Sequence, residues 1–260
     1  MTTDFGLKDP YVAEMKAVIL SICPNAIIVD ITHEVEKFNI RRGAYVLASA
    51  VPYIPEGSVH VAVIDPGVGT RRRPVVIQTK RDFFVGPDNG LLVLAAKKQG
   101  IVCIRELANP RFMLPKVSHT FHGRDVFAPA AAHLMNCVKA EEFGPEIHNA
   151  VQPEFSKVTR RNGVWVGEVL HVDGFGNIVT NLNEQAVTQS CVRDFVSVEL
   201  PCCKLKLKLC KAYGETEPQE PLVLIGSQGF LEIAINQGNA AETFKAKTGD
   251  KIKLLLQVRP

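Results

Sequence analysis

The chain has 260 residues, 46% hydrophobic and 22% charged, the balance of a soluble globular protein able to bury a core. A net charge of +3 gives no argument for nucleic-acid binding, and no apolar run reaches the roughly 18 residues that a membrane helix needs. The start, MTTDFGLKDP, lacks the basic and apolar regions of a secretory leader, and seven cysteines without a C-x-x-C pair signal neither a disulfide framework nor a structural zinc site. Reduced thiols in a cytoplasm are expected.

Along the chain, Asp9 and Pro10 read as an N-cap and first helical residue. Met15, Val18, Ile19 and Ile22 then share one helical face, and CPN ends the element. AIIVDIT reads as a buried strand, continuously apolar as in a sheet covered on both faces. IRRGAYVLASAV is a second helix, SVHVAVID a strand, PVVIQTK and FFVGP further strands, and GLLVLAAKK another helix. RDVFAPAAAHLMNC is helical, with Asp125 as its N-cap and Pro129 tolerable only near the first turn. This alternation predicts an N-terminal α/β domain over residues 1–150 with a largely parallel central sheet.

The texture then changes. NAVQPEFSKVTRRNG is polar and unperiodic, and residues 151–163 read as a linker. Short apolar runs follow, from VWVGEVLHV to KIKLLLQV, separated by turn residues, so residues 164–260 are expected to form a smaller all-β barrel or sandwich. Within it KLKLKLCK alternates, placing Lys204, Lys206 and Lys208 on a wet face and Leu205, Leu207 and Leu209 on the other. There is no internal repeat and no low-complexity tract.

Four polar clusters fall where predicted elements end, the place where open α/β folds bind ligands. They are TTDFG with Asp4, VIDPGVGTRRRP with Asp65 and three arginines, GPDNG with Asp88 and Asn89, and HTFHGRD with His119, His122 and Asp125. A fifth, VDGFGN, holds Asp173, Phe175 and Asn177 in the β domain. DPGVGT lacks the glycine spacing, following helix and lysine of a phosphate cradle. His119, His122 and Asp125 have a spacing that suits a metal on a helix, but Gly123 among them favours a loop, and no metal is expected. His33, His60, His133, His148 and His171 read as structural.

TTDFG, VIDPGVGT with its arginines, PDNG, TFHGRD, FGN and GSQGFLEIAINQGNAA stand in the order and spacing of one family. Over essentially its whole length the chain resembles the S-adenosylmethionine (SAM) hydroxide adenosyltransferases, hydrolases that form adenosine and are relatives of the SAM-dependent fluorinase and chlorinase. The resemblance implies an α/β domain joined to a C-terminal β-barrel and assembled as a homotrimer. Substrate would lie between the N-terminal domain of one subunit and the C-terminal domain of its neighbour. It implies an Asp65, Arg72 and His122 triad that orients and activates water, with no cofactor. It also implies Asp4 at the ribose hydroxyls, Phe175 and Asn177 near the nucleoside, and Asp9, Asp173, Ser227 and Gln228 at the methionine portion. For Asp9 the capping reading stands beside this one.

That chemistry accounts for a carboxylate beside clustered guanidiniums. The sulfonium of SAM leaves as neutral methionine and needs no acid, so the difficult partner is water. Asp65 can orient it, an arginine complements the carboxylate, and His122 can take or relay the proton. The chain also departs from its relatives. It begins almost on TDFG, so either the first strand is short or the true start lies upstream, and VDGFGN carries one acidic residue where close relatives often show two. Halogenases have a tyrosine at the position of Asp65, a serine at Gly123 and an inserted loop before PDNG. A halide against the Asp65 carboxylate would be repelled. The competing readings are a SAM- or adenosine-binding sensor with little turnover, a halogenase, and a metallohydrolase built on His119, His122 and Asp125.

Overall fold

The computed structural model describes residues 1–153, 155, 157–191 and 194–255, and the chain divides into two units, Met1–Glu154 and Phe155–Pro260. The first runs β1 (Thr2–Thr3), α1 (Tyr11–Ile22), α2 (Ile40–Ala50), β2 (Val59–Val63), β3 (Pro74–Thr79), β4 (Phe83–Pro87), α3 (Val93–Gln99), β5 (Ile101–Glu106) and α4 (Ala128–Met135). Its sheet has the order β1-β2-β4-β3-β5. β1–β2 and β2–β4 pair in parallel, whereas β3 is antiparallel to both β4 and β5. The sheet is therefore mixed, where a largely parallel one was expected. Only residues 80–82 join β3 to β4, enough for a hairpin but far short of the dozen or so that a parallel crossover takes.

Helices cover both faces. Met15 and Ile19 of α1 and the alanines of α4 pack with Val61, Val63 and Val85. Successive strand side chains point to opposite faces, and on the other one α2 lies so close that a Cβ on Gly43 would sit 2.7 Å from Ile64 Cδ1. Three local readings need correction. AIIVDIT is not a strand: it touches β1 through an isolated Thr2–Thr32 bridge and leaves Ile27 92% exposed, so it runs along an edge rather than inside the sheet. Pro10, not Asp9, caps α1, and no side chain completes that cap. Edge strand β5 escapes the sequence pattern because most of its residues are only half-buried.

The second unit runs β6 (Thr159–Arg161), β7 (Val164–Val172), β8 (Ile178–Asn183), α5 (Glu184–Ser190), β9 (Phe195–Leu200), β10 (Cys203–Leu209), β11 (Pro221–Ile225), β12 (Phe230–Ile235), α6 (Ala240–Phe244) and β13 (Lys251–Leu255). β6 occupies part of the segment read as a linker. β13 pairs with both β9 and β7, closing seven strands into a barrel to which β6 adds as an outer hairpin arm. Closure removes the exposed edges that an open sheet must protect. Along β10 Lys204, Lys206 and Lys208 are exposed while Leu207 is buried, as the alternation implies. Neither short helix is expected from periodicity. α5 is capped by Asn183 and α6 by Asn239, whose side chain accepts from Glu242 N at 2.9 Å. The Asn-x-x-Glu spacing is the one legible signal for α6.

No helix among the described residues is long and apolar enough to cross a membrane. All seven cysteines are free thiols. Phe84 has no exposed surface and stacks on His60 at 4.8 Å between ring centroids. Phe84→Ala is expected to destabilise the protein by about 3–5 kcal/mol, read by urea denaturation; a loss under about 1 kcal/mol would contradict this packing.

Candidate active site

Three parallel strands bring distant motifs to one edge of the first sheet. Thr3 is level with Val63, and Val61 with Val85. Asp4 therefore follows β1, Asp65 lies just beyond β2, and Asp88–Asn89 follow β4, all at the carboxyl ends of the strands. Antiparallel β3 begins at that same edge, with Pro74 opposite Pro87, and so delivers Arg72 and Arg73.

The Asp65 carboxylate is held by a guanidinium fork: Arg72 Nε donates to Oδ1 at 3.1 Å and Nη2 donates to Oδ2. The two side chains are only 5% and 7% exposed, respectively. Nη2 also reaches His122 Nδ1 at 3.1 Å. A guanidinium can only donate, so Nδ1 is the acceptor and the neutral ring carries its hydrogen on Nε2. Burial, and then the positive charge of Arg72, hold the His122 pKa below the ordinary 6.5, while Asp65 and Asp125 push the other way. The Arg72 guanidinium also lies over the Phe127 ring, 5.4 Å from its centroid.

His122 immediately precedes a π-turn, Gly123–Phe127, that runs into α4. Such widened turns recur at functional sites. Asp125 is inside this turn rather than capping a helix. It is fully buried, accepting from Ser118 N at 2.8 Å and from Arg124 Nε at 2.7 Å. The glycines of VIDPGVGT also have a physical reason. Gly69 has φ +73°, and a Cβ there would lie 2.1 Å from the His119 carbonyl oxygen. Glycine thus lets the loop carrying Asp65 rest directly on the segment carrying His122.

Asp4, Asp65 and His122 line one cavity of about 640 Å³, together with Phe5, Tyr11, Phe38 and Phe121. Three of these rings meet edge-on at 5.1–5.8 Å. Asp4 is buried; its Oδ2 accepts from Phe38 N at 2.8 Å, and Lys37 Nζ donates to its carbonyl oxygen. The sequence reading missed this aromatic wall. Phe5 and Phe121 sit inside quoted motifs, whereas Tyr11 and Phe38 carry no local signal. Asp9 is exposed and does not line the cavity. His119 is exposed, and among the described residues no three His, Cys, Asp or Glu side chains converge as a metal site requires. Of the other arginines, Arg71 is exposed and Arg73 pairs with Asp88.

In the second unit Asp173, Phe175, Asn177 and Tyr213 line a cavity of about 620 Å³. Asp173 organises the VDGFGN turn: Oδ1 accepts from Phe175 N and Asn177 N, and Oδ2 from Asn177 Nδ2, each at 2.9 Å. Phe175 is left 82% exposed. The Tyr213 hydroxyl donates to Glu232 Oε1 at 2.6 Å, and burial pushes the Glu232 carboxyl upward. Ser227 and Gln228 lie in the turn between β11 and β12 and are not among the residues lining this cavity.

An α/β unit with a buried carboxylate–guanidinium pair and a half-buried imidazole at its strand ends, followed by a closed barrel with a cavity of its own, defines a two-domain protein built for small-molecule acid–base chemistry. The chain belongs to the SAM hydroxide adenosyltransferase family: residues 1–144 match the family's N-terminal domain and residues 167–253 its C-terminal domain. It is 39% identical to the (R)-S-adenosyl-L-methionine hydrolase of Thermus thermophilus over 97% of each chain. It is also 39% identical to that of Methanocaldococcus jannaschii, over 98% of this chain and 94% of the relative. The crystal structure of an uncharacterized conserved protein from Thermotoga maritima superposes with a TM-score of 0.92 at 41% identity, covering 97% of this chain and 98% of that one.

Gly69→Ala is expected to remove most activity and to lower the melting temperature, because both the positive φ and the His119 carbonyl oppose a side chain. Unaltered kinetics in that variant would show that the loop does not rest where the geometry puts it.

Proposed function

We propose that this protein hydrolyses SAM to adenosine and L-methionine by in-line attack of water on the 5′ carbon, with Asp65, Arg72 and His122 as the catalytic set. The observation that carries this reading is the Asp65–Arg72–His122 contact, its ion pair buried and its imidazole half-buried, opening on the cavity that Asp4 also lines. The hydrolases that share 39% identity over nearly the full chain support it.

The reaction needs a water molecule with one lone pair aimed along the C5′–S bond. Asp65 accepts a hydrogen from that water. Arg72 fixes the carboxylate plane through the fork, and the neutral His122 ring has Nε2–H left to donate because Arg72 already occupies Nδ1. An acceptor and a donor together fix the orientation of water, and proximity supplies much of the rate. As the C–O bond forms, the C–S bond breaks and its electron pair returns to sulfur, giving neutral methionine. The proton shed by the attacking oxygen passes to Asp65 and from there to solvent. A halide would meet the same carboxylate with repulsion, which disfavours halogenation.

Asp4 binds the ribose hydroxyls in this reading, Phe175 and Asn177 the nucleoside, and Asp173 the methionine portion; Asp9, Ser227 and Gln228, which do not line the cavities of the single chain, would meet the methionine portion only in an assembled site. Completion of the site by the second unit of a neighbouring subunit in a homotrimer follows from the same reading, as does a cytoplasmic location with free thiols. SAM is the partner; neither a cofactor, a metal, nucleic acid nor a membrane enters the scheme.

The test is incubation with SAM in oxygen-18 water, with and without a chelator, read by mass spectrometry. Adenosine labelled at the 5′ oxygen with free methionine is the expected result, unaffected by chelator. Bound but unconverted SAM would overturn the hydrolase and leave a sensor, and chelator sensitivity would point to a metallohydrolase. Asp65→Asn should lower kcat on the order of 10²–10⁴-fold.

The pH profile tests His122. Protonation would set a second positive charge against Arg72 and remove the Nδ1 acceptor. Activity should therefore be retained below the ordinary histidine value of 6.5 and lost only as pH falls through the depressed His122 pKa. A midpoint above 6.5 would contradict the contact.

A further inference from the structure

The motif PDNG, residues 87–90, takes no part in the chemistry above, yet its two polar side chains reach both ends of the loop that carries it. At the leading end, Asn89 Nδ2 donates to the Ile64 carbonyl at 2.9 Å, the peptide immediately before Asp65. At the trailing end, Asp88 Oδ2 accepts from Arg73 Nε at 3.0 Å and from Nη2 at 2.5 Å, and Asp88 N donates to the Arg73 carbonyl at 2.9 Å. Arg73 immediately follows Arg72. We propose that Asp88 and Asn89 are positioning residues that clamp both ends of the Asp65–Arg72 loop and so hold the carboxylate–guanidinium fork in register. This rests on the hydrolase reading of the same site.

The loop needs such support. Between β2 and β3 it forms turns only, and its internal backbone bonds join near neighbours, Val68 N to Asp65 O and Thr70 N to Gly67 O, each 3.2 Å, so neither ties one end of the loop to the other. A fork between residues seven apart closes such a loop only if the loop ends keep their spacing. The clamp is itself built in. The Asp88 side chain is 3% exposed, and its Oδ1 accepts from Val151 N at 2.8 Å. Arg73 Nη1 donates to Asn149 Oδ1 at 2.8 Å, and Asn89 Oδ1 accepts from Leu91 N at 3.2 Å. Residues 149–151 thereby brace the clamp from behind.

Asn89→Asp is the informative variant. It is isosteric, keeps the acceptor for Leu91 N, and replaces the donor to the Ile64 carbonyl with an oxygen. Asp88→Asn weakens the trailing end. Gln99→Ala serves as the control, because it removes a half-buried hydrogen bond to Asp82 at the opposite end of the β3–β4 hairpin. For all three, kcat, KM, pH profile and melting temperature are measured with SAM. Both clamp variants should lose on the order of 10–100-fold in kcat, the scale of a small misplacement from outside the chemistry, with KM changed less than threefold.

Their pH profiles should move as well. His122 faces Arg72 and His119, whose charges disfavour its protonation, and Asp65 and Asp125, which favour it. Burial still holds the His122 pKa down, but a loosened Arg72 removes the next strongest influence in that direction, so the acid limb should shift to higher pH. Gln99→Ala should lower the melting temperature without moving that limb. Clamp variants with the unsubstituted protein's kcat and pH midpoint, or with losses that merely track melting temperature as the control does, would overturn the clamp alone. Absence of SAM hydrolysis in the unsubstituted protein would overturn the functional reading and the clamp with it.

Discussion

Two opposite charges at the edge of the first sheet, Asp65 and Arg72, are shut away from water almost completely. Burying a lone ion costs several kcal/mol, and the loss is recovered only when partners and geometry are near ideal. Much of the first unit can be understood as what that geometry demands. A parallel strand brings Asp65 to the edge, an antiparallel strand carries the chain back so that Arg72 begins where Asp65 ends, and a glycine-rich turn bridges them. Phe127 supplies a flat surface beneath the guanidinium, and His122 accepts from Nη2 as well.

The same pairing decides how the imidazole can behave. A histidine beside a carboxylate alone would be drawn toward its charged form. Here burial and then the charge of Arg72 hold the His122 pKa down, and the contact with Arg72 selects its tautomer. A sequence can nominate Asp, Arg and His as a set, but the direction of the hydrogen bonds among them follows only from three-dimensional placement.

What was legible in the sequence followed periodicity. α2 and β9 were readable because their apolar residues recur at one period, and β4 and β12 as short apolar runs between turn signals. The barrel was readable as a series of short strands, although its closure by β13 was not, since closure depends on pairings between strands far apart in the chain. AIIVDIT misled because an apolar run reads the same in sequence at an open edge as in a sheet interior; here Ile27 and Val29 are left exposed. β3 misled as to direction, because a three-residue turn is brief enough to be overlooked between two strong strands. The site divided along similar lines. Charged and glycine-rich motifs announced Asp4, Asp65, Arg72 and His122, whereas Tyr11 and Phe38 entered the cavity wall as ordinary aromatics in a helix and a turn. Asp9 was attractive at both levels and the structure places it in neither the cap nor the cavity.

The π-turn at Gly123–Phe127 has a further consequence, for how such a chain can change over time. One extra residue per turn shifts everything before it by about 100° relative to the helix behind it. The face of α4 that fills the core and the residue that meets Arg72 are thus set by two different phases along one segment. Loss of a single residue there would leave the core stripe of α4 intact while swinging His122 away from its partner. In this stretch a short deletion is a more drastic event than most substitutions.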